Sequence, residues 1–223
     1  TFSYEPTLFF VDKPNGDWNF AHPRARTEVV QSLAEDLSDA TGYPVKITNI
    51  NASISKHLAF KVLSKRYPKY LGCVFMCEAT LDVNTKWCGH CWKCFEYLLM
   101  CLIEQVPSDL DVDQYIRESR YIATLLEIGP QLERHPETGN LRWSPAYGGH
   151  MVHYTTMCHS FAKLDLDYVV SIATADSAAV LKTLKDWFGN REYPIFDHYI
   201  CTSLDCIPLK RKSAIRNILE SYA

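Results

Sequence analysis

Four of the chain's nine cysteines fall between residues 77 and 94, in the segment CEATLDVNTKWCGHCWKC. Cys77, Cys88, Cys91 and Cys94 form a C-x10-C-x2-C-x2-C pattern. Four thiolates complete a tetrahedral zinc shell, with Zn–S near ~2.3 Å. The two-residue gaps let one tight turn aim successive sulfurs at the same point. The ten-residue excursion lets the end of the third predicted strand supply the fourth sulfur. Such a site is closed, because four sulfurs leave no position for water, so the expected metal is structural zinc. Cysteine is frequent, but not at the ~8–10% of a small disulfide scaffold. A chain of 223 residues can bury a core without staples, so metal binding in a reducing compartment is the expectation.

The same letters hold a rival. Trp87-Cys88-Gly89-His90-Cys91 reproduces the WCGHC of protein disulfide isomerases, where a helix N-terminus lowers the first thiol's pKa. Against a redox centre stand the surplus Cys77 and Cys94 and the stretch Glu78 to Lys86, which separates the motif from any preceding strand. Other reactive types are more scattered. His150, His153, Cys158 and His159 follow Gly148-Gly149 and could bind a second metal or move protons, although loop and helix-face histidines beside a core cysteine explain them as well. Asp12 follows an apolar run, where open α/β sheets place ligands, and is equally an ordinary turn residue. Lys210-Arg211-Lys212 with Arg216 reads as a solvated basic face, with a phosphate contact as the alternative. Cys201 and Cys206 read as structural or free thiols.

The elements that must position these residues alternate at first. Apolar runs at Leu8–Val11, Val45–Ile50 and Cys73–Met76 are predicted strands. Between them, helices are predicted from about Pro23 to Gly42 and through Ile54, Leu58, Val62 and Leu63, with Ser53 or Ser55 as cap. Gly42 stands where a helix-ending glycine belongs. Strand–helix alternation predicts an α/β fold, a parallel-sheet three-layer core with right-handed crossovers, for residues 7 to 105. Further on, helices are predicted from Cys91 to Gln105, from Asp113 to Ile128, after Asp176 or Ser177 to Gly189, and from Leu209 to Tyr222. Residues 129–149 read as a long loop, and Tyr168–Thr174 as an added strand. Two regions are thus expected: 1–106, the α/β core with its zinc knuckle, and 107–223, mostly helical.

Charge excludes several function classes. Lys and Arg total 23 against 26 Asp and Glu, a formal charge of −3, so no global field draws the chain to nucleic acid or to an anionic membrane. Both partners are therefore unexpected. No apolar run approaches the ~20 residues of a membrane helix, and no signal peptide is legible. A cytoplasmic location is expected.

A strand ending in cysteine, an excursion, then CGxCxxC opening a helix resembles the zinc knuckle of 7-cyano-7-deazaguanine synthases. These belong to the PP-loop, or adenine nucleotide alpha-hydrolase-like, superfamily. The resemblance covers roughly residues 7 to 105 and is specific only at Cys77, Cys88, Cys91 and Cys94. It implies zinc at those four residues, ATP with magnesium as co-substrate, and activation of a carboxylate followed by nitrile formation. The superfamily's SGGxDS loop, which grips pyrophosphate through backbone N–H groups, does not occur in this sequence. The resemblance therefore also implies an upstream segment or a protein partner that supplies the loop, or else its loss and conversion to a binding module without ATP chemistry.

Overall fold

A computed structural model of the chain describes residues 11–12, 18–19, 27–45, 56–74, 77, 85–134, 151–190, 213–214, 216–218 and 221–222. Three quarters of them are helical. The expected parallel-sheet α/β core is overturned by this helix content. Among the described residues the only strand pairing is antiparallel, β1 (Val11–Asp12) against β2 (Trp18–Asn19), with Val11 opposite Asn19 and Asp12 opposite Trp18. Among the described residues, the backbone of Asp12 thus pairs with Trp18 in an antiparallel ladder and has no parallel partner.

The helices are α1 (Thr27–Thr41), α2 (Lys56–Arg66), α3 (Trp92–Glu104), α4 (Val112–Glu118), α5 (Arg120–Arg134), α6 (Met151–Lys163), α7 (Leu166–Ile172) and α8 (Ala175–Phe188). A 3-10 helix covers Pro68–Cys73. The chain divides into two compact units: Thr1–Val62 with Trp143–His153 and Pro194–Ala223, and Leu63–Arg142 with Tyr154–Tyr193.

In the first unit, α1 ends as expected. Gly42 takes φ +69°, and its N–H donates to the Ser38 carbonyl at 2.8 Å. That left-handed conformation suits glycine, which has no Cβ to clash. The Ser38 hydroxyl then accepts the Val45 N–H at 2.8 Å. The rest of the predicted strand 45–50 lies outside the described residues, as do 8–10, 75–76 and the caps Ser53 and Ser55.

The second unit is built around α3. Nine consecutive residues, Cys94 to Leu102, are buried, so the helix is surrounded on every side, as a core helix is. Its end is set by Gln105 at φ 54°, with the N–H of Gln105 reaching back to the Leu102 carbonyl. Phe95 contacts Tyr115, Tyr121 and Phe161 with ring centroids 5.6–5.9 Å apart, and Phe161 stacks on Phe188. Helices α4, α5 and α7 all pack on α8. Lys185 of α8 donates to the carbonyls of Phe161, Ala162 and Leu164 at 2.7–3.0 Å. It thereby satisfies carbonyls that the end of α6 leaves without helical partners.

Three further expectations are corrected here. Tyr168–Thr174 is no strand. The Asp165 carboxylate accepts the N–H groups of Asp167 and Tyr168 and starts α7, and the Thr174 hydroxyl starts α8 by accepting from Ser177. Local capping outweighs the β-branched composition of the run. Cys73 closes the 3-10 helix and begins no strand. The single helix expected from Asp113 to Ile128 is broken at Ser119, whose backbone is extended, while α5 continues through Gly129 and Pro130 to Arg134. Of the predicted loop, 135–149 lies outside the described residues.

Candidate metal centre

Two segments of the second unit make the centre. Cys77 arrives alone, and Cys88, Cys91 and Cys94 come from the turn that leads into α3. Cys91 is the N-cap of that helix and Cys94 lies in its first turn. The turn is possible because Gly89 adopts φ +76°, a conformation that costs most other residues about 1 kcal/mol or more. Trp87, stacked on Tyr97 with centroids 4.2 Å apart, anchors the segment before the turn.

All four sulfurs lie within 4.8 Å of one another. Cys77 to Cys91 is 3.8 Å, Cys88 to Cys94 is 3.7 Å, and Cys91 to Cys94 is 3.6 Å. A regular tetrahedron with Zn–S of ~2.3 Å has sulfur–sulfur edges of about 3.8 Å. A disulfide would need about 2.05 Å, and all four cysteines are free thiols. The arrangement can hold a metal ion such as zinc.

Backbone amides point at the sulfurs. The Cys88 N–H donates to the Cys77 sulfur at 3.4 Å, those of His90 and Cys91 reach Cys88, that of Cys94 reaches Cys91, and that of Gly89 reaches Cys94. Such donors stabilise thiolate. Packed this closely, the thiols of Cys88, Cys91 and Cys94 cannot ionise independently. The hydrogen bond with Cys94 lowers Cys91 to about 5 and raises Cys94, while burial is the main cause that raises Cys88. A dication held by these four cysteines would take the place of thiol protons.

Residues far along the chain hold the turn in place. The Tyr115 hydroxyl donates to the Cys91 carbonyl at 2.6 Å, and the Ser119 hydroxyl to the His90 carbonyl at 3.0 Å. The break between α4 and α5 puts Ser119 within reach. Asp109 binds the Lys86 ammonium and accepts from the Trp87 indole at 3.4 Å. None of these partners was expected from the sequence. Only the start of α4 carried a local signal: Asp111, three residues before Gln114, caps it by accepting the Gln114 N–H at 2.7 Å.

Beside the centre lies a cleft of about 630 Å³, lined by Trp87, His90, Asp109, Asp111, Glu118 and Arg120 among others. Its carboxylates are engaged. Asp109 pairs with Lys86, Asp111 caps α4, and Glu118 meets Gln114 and Arg117. Of the remaining candidates, the described Cys158 and His159 do not join the centre. Cys158 is buried in α6 and His159 is half-buried. His153 belongs to α6 by its backbone, and His150 lies outside the described residues, as do Cys201, Cys206 and 210–212. Among the described residues, the four cysteines are the one cluster suited to a metal.

No protein-family model matches this chain, nor does any curated protein or solved structure. What the site does must therefore be argued from its own geometry. Among the described residues, no helix is long and apolar enough to cross a membrane.

Proposed function

We propose that the chain is a zinc-binding protein in which a closed centre of four cysteines organises the helical second unit, and that this unit works as a non-catalytic interaction module. The observation that carries the reading is the set of sulfur separations, 3.6–3.8 Å, close to the edge of a zinc tetrathiolate and far from a disulfide. Cys77, Cys88, Cys91 and Cys94 would hold the ion, which supplies a cross-link and no open coordination position. The donor set fits, since soft thiolates with amide N–H groups directed at them select zinc over hard cations. Residues of the chain do the rest. Gly89 turns the backbone, and Tyr115 and Ser119 fix the turn's carbonyls.

The resemblance to 7-cyano-7-deazaguanine synthases rests on these same four cysteines, and ATP-dependent chemistry has no other support among the described residues. Two measurements test the reading. Elemental analysis of protein purified without chelator is expected to give one zinc per chain, with X-ray absorption showing four sulfurs near ~2.3 Å. Metal-free protein, or a Cys88–Cys91 disulfide, would overturn it. Release of AMP from ATP and magnesium by the zinc-loaded chain would displace the interaction module in favour of the enzyme.

A further inference from the structure

The chain carries 26 carboxylates, yet none lies between Asp39 and Glu78, a stretch that contains Lys46, Lys56, Lys61, Lys65, Arg66 and Lys69. Solvated faces ordinarily intersperse both signs. Here the net negative charge of the whole chain hides a local excess of positive charge. The part of this stretch in the second unit runs from the end of α2 into the 3-10 helix Pro68–Cys73. Tyr67, the N-cap, and Tyr70 stand 40% and 48% exposed. Residues three apart in a 3-10 helix share one edge, and the Tyr70 N–H donates to the Tyr67 carbonyl at 2.9 Å, which fixes the spacing.

Each ring carries its own cation. The Arg66 guanidinium lies 5.7 Å from the Tyr67 centroid and its Nε donates to the Tyr67 hydroxyl at 3.1 Å, and the Lys69 ammonium lies 4.9 Å from the Tyr70 centroid. Lys65 is committed elsewhere, to the carbonyl and carboxylate of Glu104. Arg66, Tyr67, Lys69 and Tyr70 are all exposed and form a continuous strip. Two stacking faces beside two cations match a flexible polyanion whose units each offer a planar base and a phosphate. A membrane surface matches less well, because no leucine, phenylalanine or tryptophan on this strip is exposed for insertion.

We infer that Arg66, Tyr67, Lys69 and Tyr70 form a docking strip for single-stranded nucleic acid, with bases stacking on the two tyrosines and phosphates meeting the two cations. Fluorescence anisotropy of the zinc-loaded full chain with a labelled single-stranded RNA of about 12 nucleotides is the test. Saturable micromolar binding is expected in low salt, weaker for a duplex of the same sequence. Two phosphate contacts predict a slope of log affinity against log salt of about −1.4. Y67A/Y70A should weaken binding about tenfold or more with that slope kept. Y67F/Y70F should bind like the parent, and R66E/K69E should not bind. Unchanged zinc content and helicity show that each variant is folded. No binding by the parent overturns the proposal, as does indifference to Y67A/Y70A or an equal loss in Y67F/Y70F. Equal affinity for phosphatidylserine vesicles or polyglutamate overturns it too, in favour of an unselective cationic patch.

Discussion

At the scale of single residues, the centre depends on atoms that cannot be exchanged. Zinc affinity is coupled to folding, and structural sites contribute on the order of 10 kcal/mol in isolated zinc peptides. Cys94→Ala is therefore expected to lose zinc and destabilise the second unit by several kcal/mol, read as zinc stoichiometry and thermal midpoint. A variant that keeps one zinc and the parental midpoint would refute the ligand assignment. Tyr121 makes the opposite case. Its hydroxyl is buried with no hydrogen-bond partner among the described residues, and burial raises its pKa. An unsatisfied buried hydroxyl costs roughly 1–3 kcal/mol. Tyr121→Phe, which keeps the ring against Phe95, should leave stability unchanged or raise it by about 1 kcal/mol in denaturant titration. A clear loss would mean that the hydroxyl has a partner.

At the scale of elements, what was legible in the sequence was local. The knuckle's spacing placed all four sulfurs, the Gly42 terminus was readable from one glycine, and α3 from Cys91 to Gln105 was read to within a residue. The strand expected at Tyr168–Thr174 was misread because local caps were missed, and other misreadings came where a distant partner decides. Gly129-Pro130 looks like a loop start, yet it lies inside α5, and the Trp187 ring of α8 packs where a side chain of residue 129 would go. Gly129→Ala should therefore cost about 1–3 kcal/mol, measured by chemical denaturation, although alanine is the better helix former; a gain would show that the ring moves aside freely. Likewise no local pattern announces that the break at Ser119 serves the His90 carbonyl. The junction of α4 with α8 also sets a pH dependence. Asp113 accepts from the Thr174 N–H at 2.9 Å and hydroxyl at 2.7 Å, and bonds from Ser177 first and Thr174 next hold its carboxyl below the ordinary value of 3.8. A carboxyl depressed by folding stabilises above its unfolded pKa, and the contribution fades as pH falls through the folded value. The gap in thermal midpoint between the parent and Asp113→Asn, open at about pH 6, should close below about pH 4. A gap that persists in acid would assign the effect to geometry and not to charge.

At the scale of the whole molecule, the proposed zinc ion would order a unit assembled from separated stretches of chain. Its ligands span Cys77 to Cys94, but the contacts that lock the knuckle come from Tyr115 and Ser119, and α3 buries its aromatic face against Phe161 as well. Removing zinc would free the four cysteines, of which Cys88, Cys91 and Cys94 influence one another's ionisation, so the turn should open first. The helix that Cys91 caps should fray from that end. Loss of Tyr115 and Ser119 as anchors should then loosen the α4–α5 break, while α8, held by α5 and α7, keeps its protection longer. None of the ligands belongs to the unit that contains α1. Hydrogen exchange with and without chelator tests this order. Amides of 87–98 and 115–121 are expected to exchange faster without zinc, with those of α1 unchanged. Uniform loss of protection, α1 included, would mean that the metal holds the entire chain and not one unit. No change at 87–98 would mean that packing of Trp87 on Tyr97 suffices to keep the knuckle closed.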